Sequence, residues 1–298
     1  MSATALTPVR QPAPPRGVAV DIGGRSLRVV IEGERGALPL VVCEAGAFGG
    51  AADFAEVQAA LAGQMRVLAY DRAGLGYSDP GPEPRDSRAI TNDLKALLEA
   101  LGEAAPYILV GHSMAAVHLH VFTLRWPELV KGVVLLDAVP PAALVRPDAV
   151  RFVRGAGQVA ALARTGAVLR LSALTAPLAG NAIGVKGLAH KEKLYYFASP
   201  PHNHWASKEL SHWLENGEVA RDLGDYDREL PVAVVTAGRS AAFWKRLQAE
   251  PARRSRSGYV ENVVGAGHAS LLGPKYCQAV VRAVDFVLKA ALARGARV

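Results

Sequence analysis

Cysteine is scarce: the 298 residues contain only Cys43 and Cys277. They form no CxxC pair and no disulfide framework. That excludes a cystine-stapled secreted scaffold and points to a reducing, cytoplasmic compartment. Cys43 falls inside an apolar run and is expected to pack in a strand, while Cys277 falls in a helical pattern near the end. Long apolar runs are missing too. No stretch of about 18 uninterrupted apolar residues occurs, so no membrane span is expected. The opening MSATALTPVRQPAPPRG has no apolar core and is rich in proline. It reads as a mobile arm over 1–16, not as a signal peptide.

A basic patch with interleaved aromatics is also absent. The net charge is +7, yet the one dense basic run is Arg253-Arg254-Ser255-Arg256. It reads as a solvated loop, and nucleic-acid binding is not expected. No internal repeat is visible. Half the residues are hydrophobic and a fifth are charged. That composition excludes disorder throughout, and the length allows a substantial core.

What is present is a rhythm of short apolar runs and longer helical patterns. GVAVDI (17–22) and LRVVIE (27–32), separated by glycines, predict a hairpin. Further strands are predicted at LPLVVCEAG (38–46), MRVLAY (65–70), YILVG (107–111) and GVVLLD (132–137). Helical spacing occupies 51–63 and 114–125. A further helix, with Ser87 as a candidate cap, runs to about Leu101. From 139 to 229 only helical patterns appear, broken by proline and glycine. Strands return at PVAVVTAG (231–238) and YVENVVGAG (259–267), and an amphipathic helix occupies about 275–294. Alternation of this kind implies an α/β class, a mainly parallel sheet with helices on both faces. The division is then a core of 17–138 and 230–298 with a helical cap inserted at 139–229.

Gly111-His112-Ser113-Met114-Ala115 follows a predicted strand and opens a predicted helix. A nucleophile elbow has this context: a sharp turn that demands small neighbours and exposes a serine. The competing reading is a serine that merely caps a helix. Ala115 adds one methyl where the elbow pattern has glycine.

Asp71-Arg72-Ala73-Gly74-Leu75-Gly76-Tyr77-Ser78-Asp79-Pro80 follows the strand before that unit, and EAGAFGG (44–50) lies upstream. With the elbow, these segments make the chain resemble the α/β-hydrolase superfamily from about residue 17 onward, in order and spacing. It is most similar to serine hydrolases, with EAG where others carry HG. The resemblance implies an α/β-hydrolase fold, and it makes DRAGLGYSDP largely architectural. It also implies an oxyanion hole formed by the backbone N–H groups of Met114 and Ala47, two donors aimed where negative charge develops.

The base is sought among eight histidines. His268 directly follows the last predicted strand, in Gly265-Ala266-Gly267-His268, and is the candidate proton acceptor for Ser113. His112 flanks the serine and either orients the elbow or lines the pocket. His118 and His120 do not share a helix face. His190 and His212 read as cap surface. His202-Asn203-His204 has no carboxylate or cysteine at ligand spacing, so no metal is expected; the resemblance to serine hydrolases implies no cofactor.

The acid is harder to place. Many relatives carry it a few residues after the penultimate strand. That segment here, Thr236-Ala237-Gly238-Arg239-Ser240-Ala241-Ala242-Phe243, has no carboxylate. Asp137 closes the strand after the elbow's helix, at the sheet end where open parallel sheets form sites. Some haloalkane-dehalogenase-like members place their acid there, and Ser113, Asp137 and His268 keep that chain order. Asp137 is therefore the candidate acid; the other reading makes it a strand terminator.

Dehalogenases and epoxide hydrolases of this fold attack with aspartate. A serine implies instead an acyl-enzyme and the hydrolysis of an ester, thioester or amide. The expected activity is a carboxylesterase acting on a small hydrophobic substrate. The alternatives are a non-catalytic ligand-binding relative and an acyltransferase. Phe48, His112, Tyr196 and Trp205 are candidate pocket residues, with cap packing as the competing role for the aromatics.

Overall fold

A computed structural model describes residues 14, 16–151, 153–155, 158 and 181–295. Of the expected arm over 1–16, only residues 14 and 16 are described. Much of the first half of the expected cap also lies outside the described residues.

The first element of the described residues is a hairpin of β1 (Val18–Asp21) and β2 (Ser26–Glu32). Gly23 and Gly24 make its turn with φ of +103° and +87°, and both N–H groups donate to Asp21 Oδ1 at 2.9 and 3.0 Å. Left-handed backbone of this kind costs glycine nothing sterically. There follow β3 (Val41–Glu44), α1 (Ala55–Leu61), β4 (Val67–Tyr70), α2 (Ser87–Ala100), β5 (Tyr107–His112), α3 (Ala115–Arg125) and β6 (Val130–Leu136). The inserted helices α4 (Gly187–Ala198), α5 (Pro200–Ser211) and α6 (Trp213–Asp222) precede β7 (Val232–Ala237). The chain continues through α7 (Ala242–Gln248), α8 (Glu250–Arg254), β8 (Gly258–Val263) and α9 (Gln278–Gly295).

Among the described residues, eight strands form one sheet in the order β1-β2-β4-β3-β5-β6-β7-β8. β2 runs antiparallel to both its neighbours, and the pairs from β4 onward are parallel. The order reverses at β3, whose neighbours are β4 and β5. Ligand crevices of open α/β sheets form at such a reversal, beyond the carboxyl ends of the strands.

Alternate residues of each central strand feed opposite faces. Val41, Cys43, Ile108 and Val110 pack with Val57 of α1 and Val284 and Val287 of α9. Val42, Leu109, Val133 and Leu135 pack with Leu94 and Leu97 of α2 and Leu119 and Phe122 of α3. Burial on both faces is why these strands read as continuous apolar runs. Asp86 caps α2: its side chain accepts from Ala89 N at 2.8 Å. The cap expected at Ser87 is therefore displaced by one residue, and Ser87 becomes the first residue of the helix.

Buried charge ties the inserted helices to the sheet. Glu192 on α4 pairs with Arg28 of β2 at 2.6 Å and with Arg16 at 2.8 Å. Glu209 on α5 pairs with Arg72 at 2.8 Å, and Arg72 also pairs with Glu44 at the same distance. All five residues of the Arg28 and Arg72 pairs are essentially without solvent exposure. On the α3 side, Met114, Val117 and Val121 pack with Leu210 of α5 and Trp213 and Ala220 of α6.

Candidate active site

Ser113 stands between β5 and α3 with φ of +58°. A non-glycine residue in this region costs about 1–3 kcal/mol and persists only where its surroundings hold it. The surroundings here are backbone and small residues. Ser113 N donates to Leu136 O at 3.0 Å. A Cβ on Gly46 would lie 2.9 Å from Ser113 Cβ, and one on Gly111 would lie 2.7 Å from Leu119 Cδ1. The turn after β3 is thus pressed against the serine at the point where the strand order reverses.

β5 and β6 pair with His112 opposite Leu136. The next residue of each strand, Ser113 and Asp137, therefore emerges at the same sheet edge. Asp137 also has a positive φ, +42°, and its N–H donates to Val235 O at 2.7 Å. Its Oδ1 accepts from Ala237 N at 3.0 Å and Gln248 Nε2 at 3.1 Å. The Ser240 hydroxyl lies 3.3 Å from Oδ1 and 3.4 Å from Oδ2. His268 Nδ1 lies 2.7 Å from Oδ2. Burial pushes the carboxyl pKa up, but the bonds from His268, Ala237 N–H and Gln248, with attraction to His268, hold it below its ordinary value. An ionised Asp137 fixes the proton of neutral His268 on Nδ1 and leaves Nε2 with a lone pair. The His268 side chain is 51% exposed and Asp137 4%.

His112 lies beneath His268. The rings are 4.5 Å apart, and His112 Nε2 donates to the His268 carbonyl at 3.1 Å. Burial, reinforced by the neighbouring His268, pushes the His112 pKa down to about 3. His112 is thus a neutral prop for the loop that carries His268.

Gly46-Ala47-Phe48-Gly49 forms a turn closed by Gly49 N donating to Gly46 O at 3.2 Å. Phe48 has φ of +56°. Ala47 and Phe48 pack against the cluster that contains Met114. Among the described residues, no acceptor is bonded to the N–H of Ala47 or Met114. Arg72 braces this turn by donating to Ala45 O and, at 3.1 Å, to Gly46 O.

Tyr196 and Trp205 lie with the 71–80 loop. The Tyr196 hydroxyl donates to Asp71 Oδ1 at 2.6 Å, and its ring stacks on His202 at 5.0 Å. A Cβ on Gly74 would lie 2.3 Å from the Trp205 indole. Both side chains pack the inserted helices onto that loop. His202 accepts from Gly76 N and donates to Phe48 O, which leaves neither ring nitrogen for a metal. The described residues contain cavities of about 480 Å³, beside His120, Pro140 and Tyr226, and about 370 Å³, beside Thr123 and Leu230. Neither is lined by Ser113, Asp137 or His268.

A second serine–histidine contact joins Ser87 Oγ and His118 Nδ1 at 2.8 Å. The pairing has the form of a catalytic dyad, but both residues are at most 1% exposed. Burial, with repulsion from Arg72 and Arg85, holds His118 well below its ordinary pKa. Closed from solvent, this contact joins α2 to α3.

Ser240 and Gln248 were not singled out from sequence. Ser240 stands in the very segment searched for a carboxylate, so a search for donors to Asp137 would have found it. Gln248 carries no comparable signal.

The sheet order, the reversal at β3 and the serine turn beside it define an α/β hydrolase fold. A family model described as alpha/beta hydrolase fold matches residues 39–274, and the chain belongs to that family. An uncharacterized protein of Schizosaccharomyces pombe is 29% identical over 212 residues, which cover 67% of this chain and 37% of that one. A 2-(acetamidomethylene)succinate hydrolase of Mesorhizobium japonicum is 31% identical over 121 residues, 41% of this chain and 42% of that one. The chain thus spans less than half the length of these relatives. Among solved structures, one described as a putative epoxide hydrolase from Pseudomonas aeruginosa superposes with a TM-score of 0.71 at 18% identity, covering 92% of this chain and 96% of that one. A thermophilic esterase from Thermogutta terrifontis superposes at 0.66 and 18% identity, covering 91% and 98%. At such identities the likeness is one of fold. No helix among the described residues is long and apolar enough to cross a membrane.

Proposed function

We propose that the protein is a serine hydrolase, a carboxylesterase acting on a small hydrophobic ester, with thioesters or amides as related substrates. One observation carries this reading: Ser113, held in left-handed backbone at a strand–helix turn, emerges beside a buried carboxylate bonded to a half-exposed histidine.

The chemistry follows from those groups. His268 Nε2 takes the proton from Ser113 Oγ as the oxygen attacks the substrate carbonyl. The carbonyl π pair moves onto oxygen, and the backbone N–H groups of Ala47 and Met114 stabilise the resulting oxyanion. Asp137 holds the His268 tautomer and stabilises the imidazolium. Collapse of the intermediate expels the alcohol, which takes the proton from His268 and leaves an acyl group on Ser113. Water then attacks that acyl group as His268 takes its proton; collapse of the second intermediate expels Ser113 Oγ, which takes that proton from His268, and the acid leaves with serine and neutral histidine restored. Several solved neighbours are described as epoxide hydrolases. Ser113 stands where the attacking aspartate of that chemistry is expected, which favours the acyl-enzyme route.

Fluorophosphonate labelling tests the reading. Wild-type protein should be modified at Ser113, and Ser113→Ala should lose the label together with about 10⁴-fold or more of p-nitrophenyl ester hydrolysis. Folded wild-type protein that neither labels nor hydrolyses would eliminate the proposal.

A further inference from the structure

The turn that presents Ala47 is unusual in its second central residue. A turn closed between its first and fourth residues, with a left-handed third residue, has type II geometry, and glycine normally occupies that third place. Here it is Phe48, with φ of +56°. Such backbone persists only where neighbouring groups over-determine it.

His202 supplies one of those restraints from the inserted helix α5. Its Nε2 lies 3.2 Å from the Phe48 carbonyl oxygen, and its Nδ1 lies 2.8 Å from Gly76 N. The two partners settle the tautomer. A backbone N–H only donates, so Nδ1 is the bare acceptor; a carbonyl only accepts, so Nε2 carries the hydrogen. The ring is held flat against Tyr196, with 6° between the planes, and Tyr196 is bonded to Asp71. His202 is 1% exposed. Burial, then repulsion from Lys193, pushes its pKa down to about 3, so the ring stays neutral at ordinary pH.

We infer that His202 is a positioning residue for the oxyanion turn. Its Nε2–H holds the Phe48 carbonyl, and through it the left-handed turn that sets the direction of the Ala47 N–H. This role rests on the serine-hydrolase reading above. It gives the inserted helices a part in transition-state stabilisation. The bond spans residues 154 positions apart. Loss of His202 should therefore lower kcat, because the oxyanion is stabilised only once it forms, and should leave KM nearly unchanged.

Two substitutions separate this role from simple packing. In His202→Gln, the side-chain NH₂ reaches the place of Nε2 and can still donate to Phe48 O. In His202→Asn, the shorter amide reaches the place of Nδ1 and can accept only from Gly76 N. With p-nitrophenyl acetate, His202→Asn should lower kcat by about tenfold to a hundredfold, with KM within about twofold. His202→Gln should keep kcat within about threefold of wild type. Melting temperatures of both variants are measured alongside. Equal losses of kcat, losses that follow melting temperature, or a change confined to KM would overturn the assignment. Nitrogen NMR of histidine-labelled wild type gives a test that needs no variant. A neutral ring with its proton on Nε2 is expected, and a proton on Nδ1 would rule out the bond to Phe48. If wild type failed to label at Ser113, the hydrolase reading itself would fall. An active, labelled enzyme indifferent to His202 would overturn only this inference.

Discussion

Ser240 turns its hydroxyl toward Asp137, 3.3 Å from one carboxylate oxygen and 3.4 Å from the other. It belongs to the loop after β7, which carries no carboxylate of its own. That loop instead supplies donors, from Ser240 and the Ala237 N–H, to a carboxylate based on the neighbouring strand. The expected consequence is a division of labour. Asp137→Asn should lower kcat on a p-nitrophenyl ester by about 10⁴-fold, because an amide can hold His268 in the wrong tautomer. Ser240→Ala removes one of several donors and should cost less than about tenfold. Near-normal kcat in Asp137→Asn would place the acid elsewhere.

Two buried histidines set an acid limit on stability. His112 and His202 are each pushed down to about 3 from an ordinary 6.5, chiefly by burial. The unfolded chain takes up protons at these positions below about pH 6.5, while the folded chain does not. Stability is therefore full above that value and falls as pH drops toward the folded pKa. Each histidine contributes about 1.4 kcal/mol per pH unit in that window. Urea unfolding of His202→Gln between about pH 6 and pH 4 should give a slope shallower than wild type by that amount. An unchanged slope would show that His202 is charged in the folded protein.

Arg72 is the hinge of the buried charge cluster between sheet and insert. It pairs with Glu44 and Glu209, both close to fully buried. Replacing it by Met leaves two carboxylates without their cation, a change that costs about 3–5 kcal/mol when a buried pair is broken. Glu209→Gln leaves Arg72 its pair with Glu44 and keeps an acceptor on α5, so it should cost distinctly less. Equilibrium unfolding of the two variants checks the order. A larger loss in Glu209→Gln would mean that Glu209, not Arg72, sustains the cluster.

The strands were legible because the sheet is buried on both faces, which turns Val41–Glu44, Tyr107–His112 and Val232–Ala237 into apolar runs. Ser113, Asp137 and His268 were legible as candidates because each follows such a run, where side chains leave the sheet. Contacts across long sequence separations were not. Asp86 and Ser87 are adjacent residues with equally suitable cap side chains, and only backbone geometry chooses between them. Tyr196 and Trp205 could line a pocket or pack a helix, and the choice depended on Asp71 and Gly74, more than a hundred positions away. His202 carries no readable role in the sequence, because Phe48 and Gly76, which meet its two ring nitrogens, lie more than a hundred positions away.

The glycines around Ser113 differ in what they tolerate. A methyl on Gly46 would meet Ser113 Cβ at 2.9 Å, His112 O at 3.2 Å and His112 Nδ1 at 3.3 Å. Two of these atoms belong to backbone or to a fixed ring, so the strain must move the Ala47 turn away from the serine. Displacements near 1 Å at a reacting centre can cost about a hundredfold in rate. Gly46→Ala should therefore lower kcat by about tenfold to a hundredfold while the protein stays folded. Ala115 is the opposite case: the methyl is already present and buried, in the first turn of α3. Ala115→Gly should keep kcat within about threefold and cost up to about 1 kcal/mol of stability through helix propensity. Steady-state rates and melting curves of the two variants are the measurements. Full activity in Gly46→Ala would show that the turn after β3 need not press against Ser113, and the close approach would then carry no catalytic meaning.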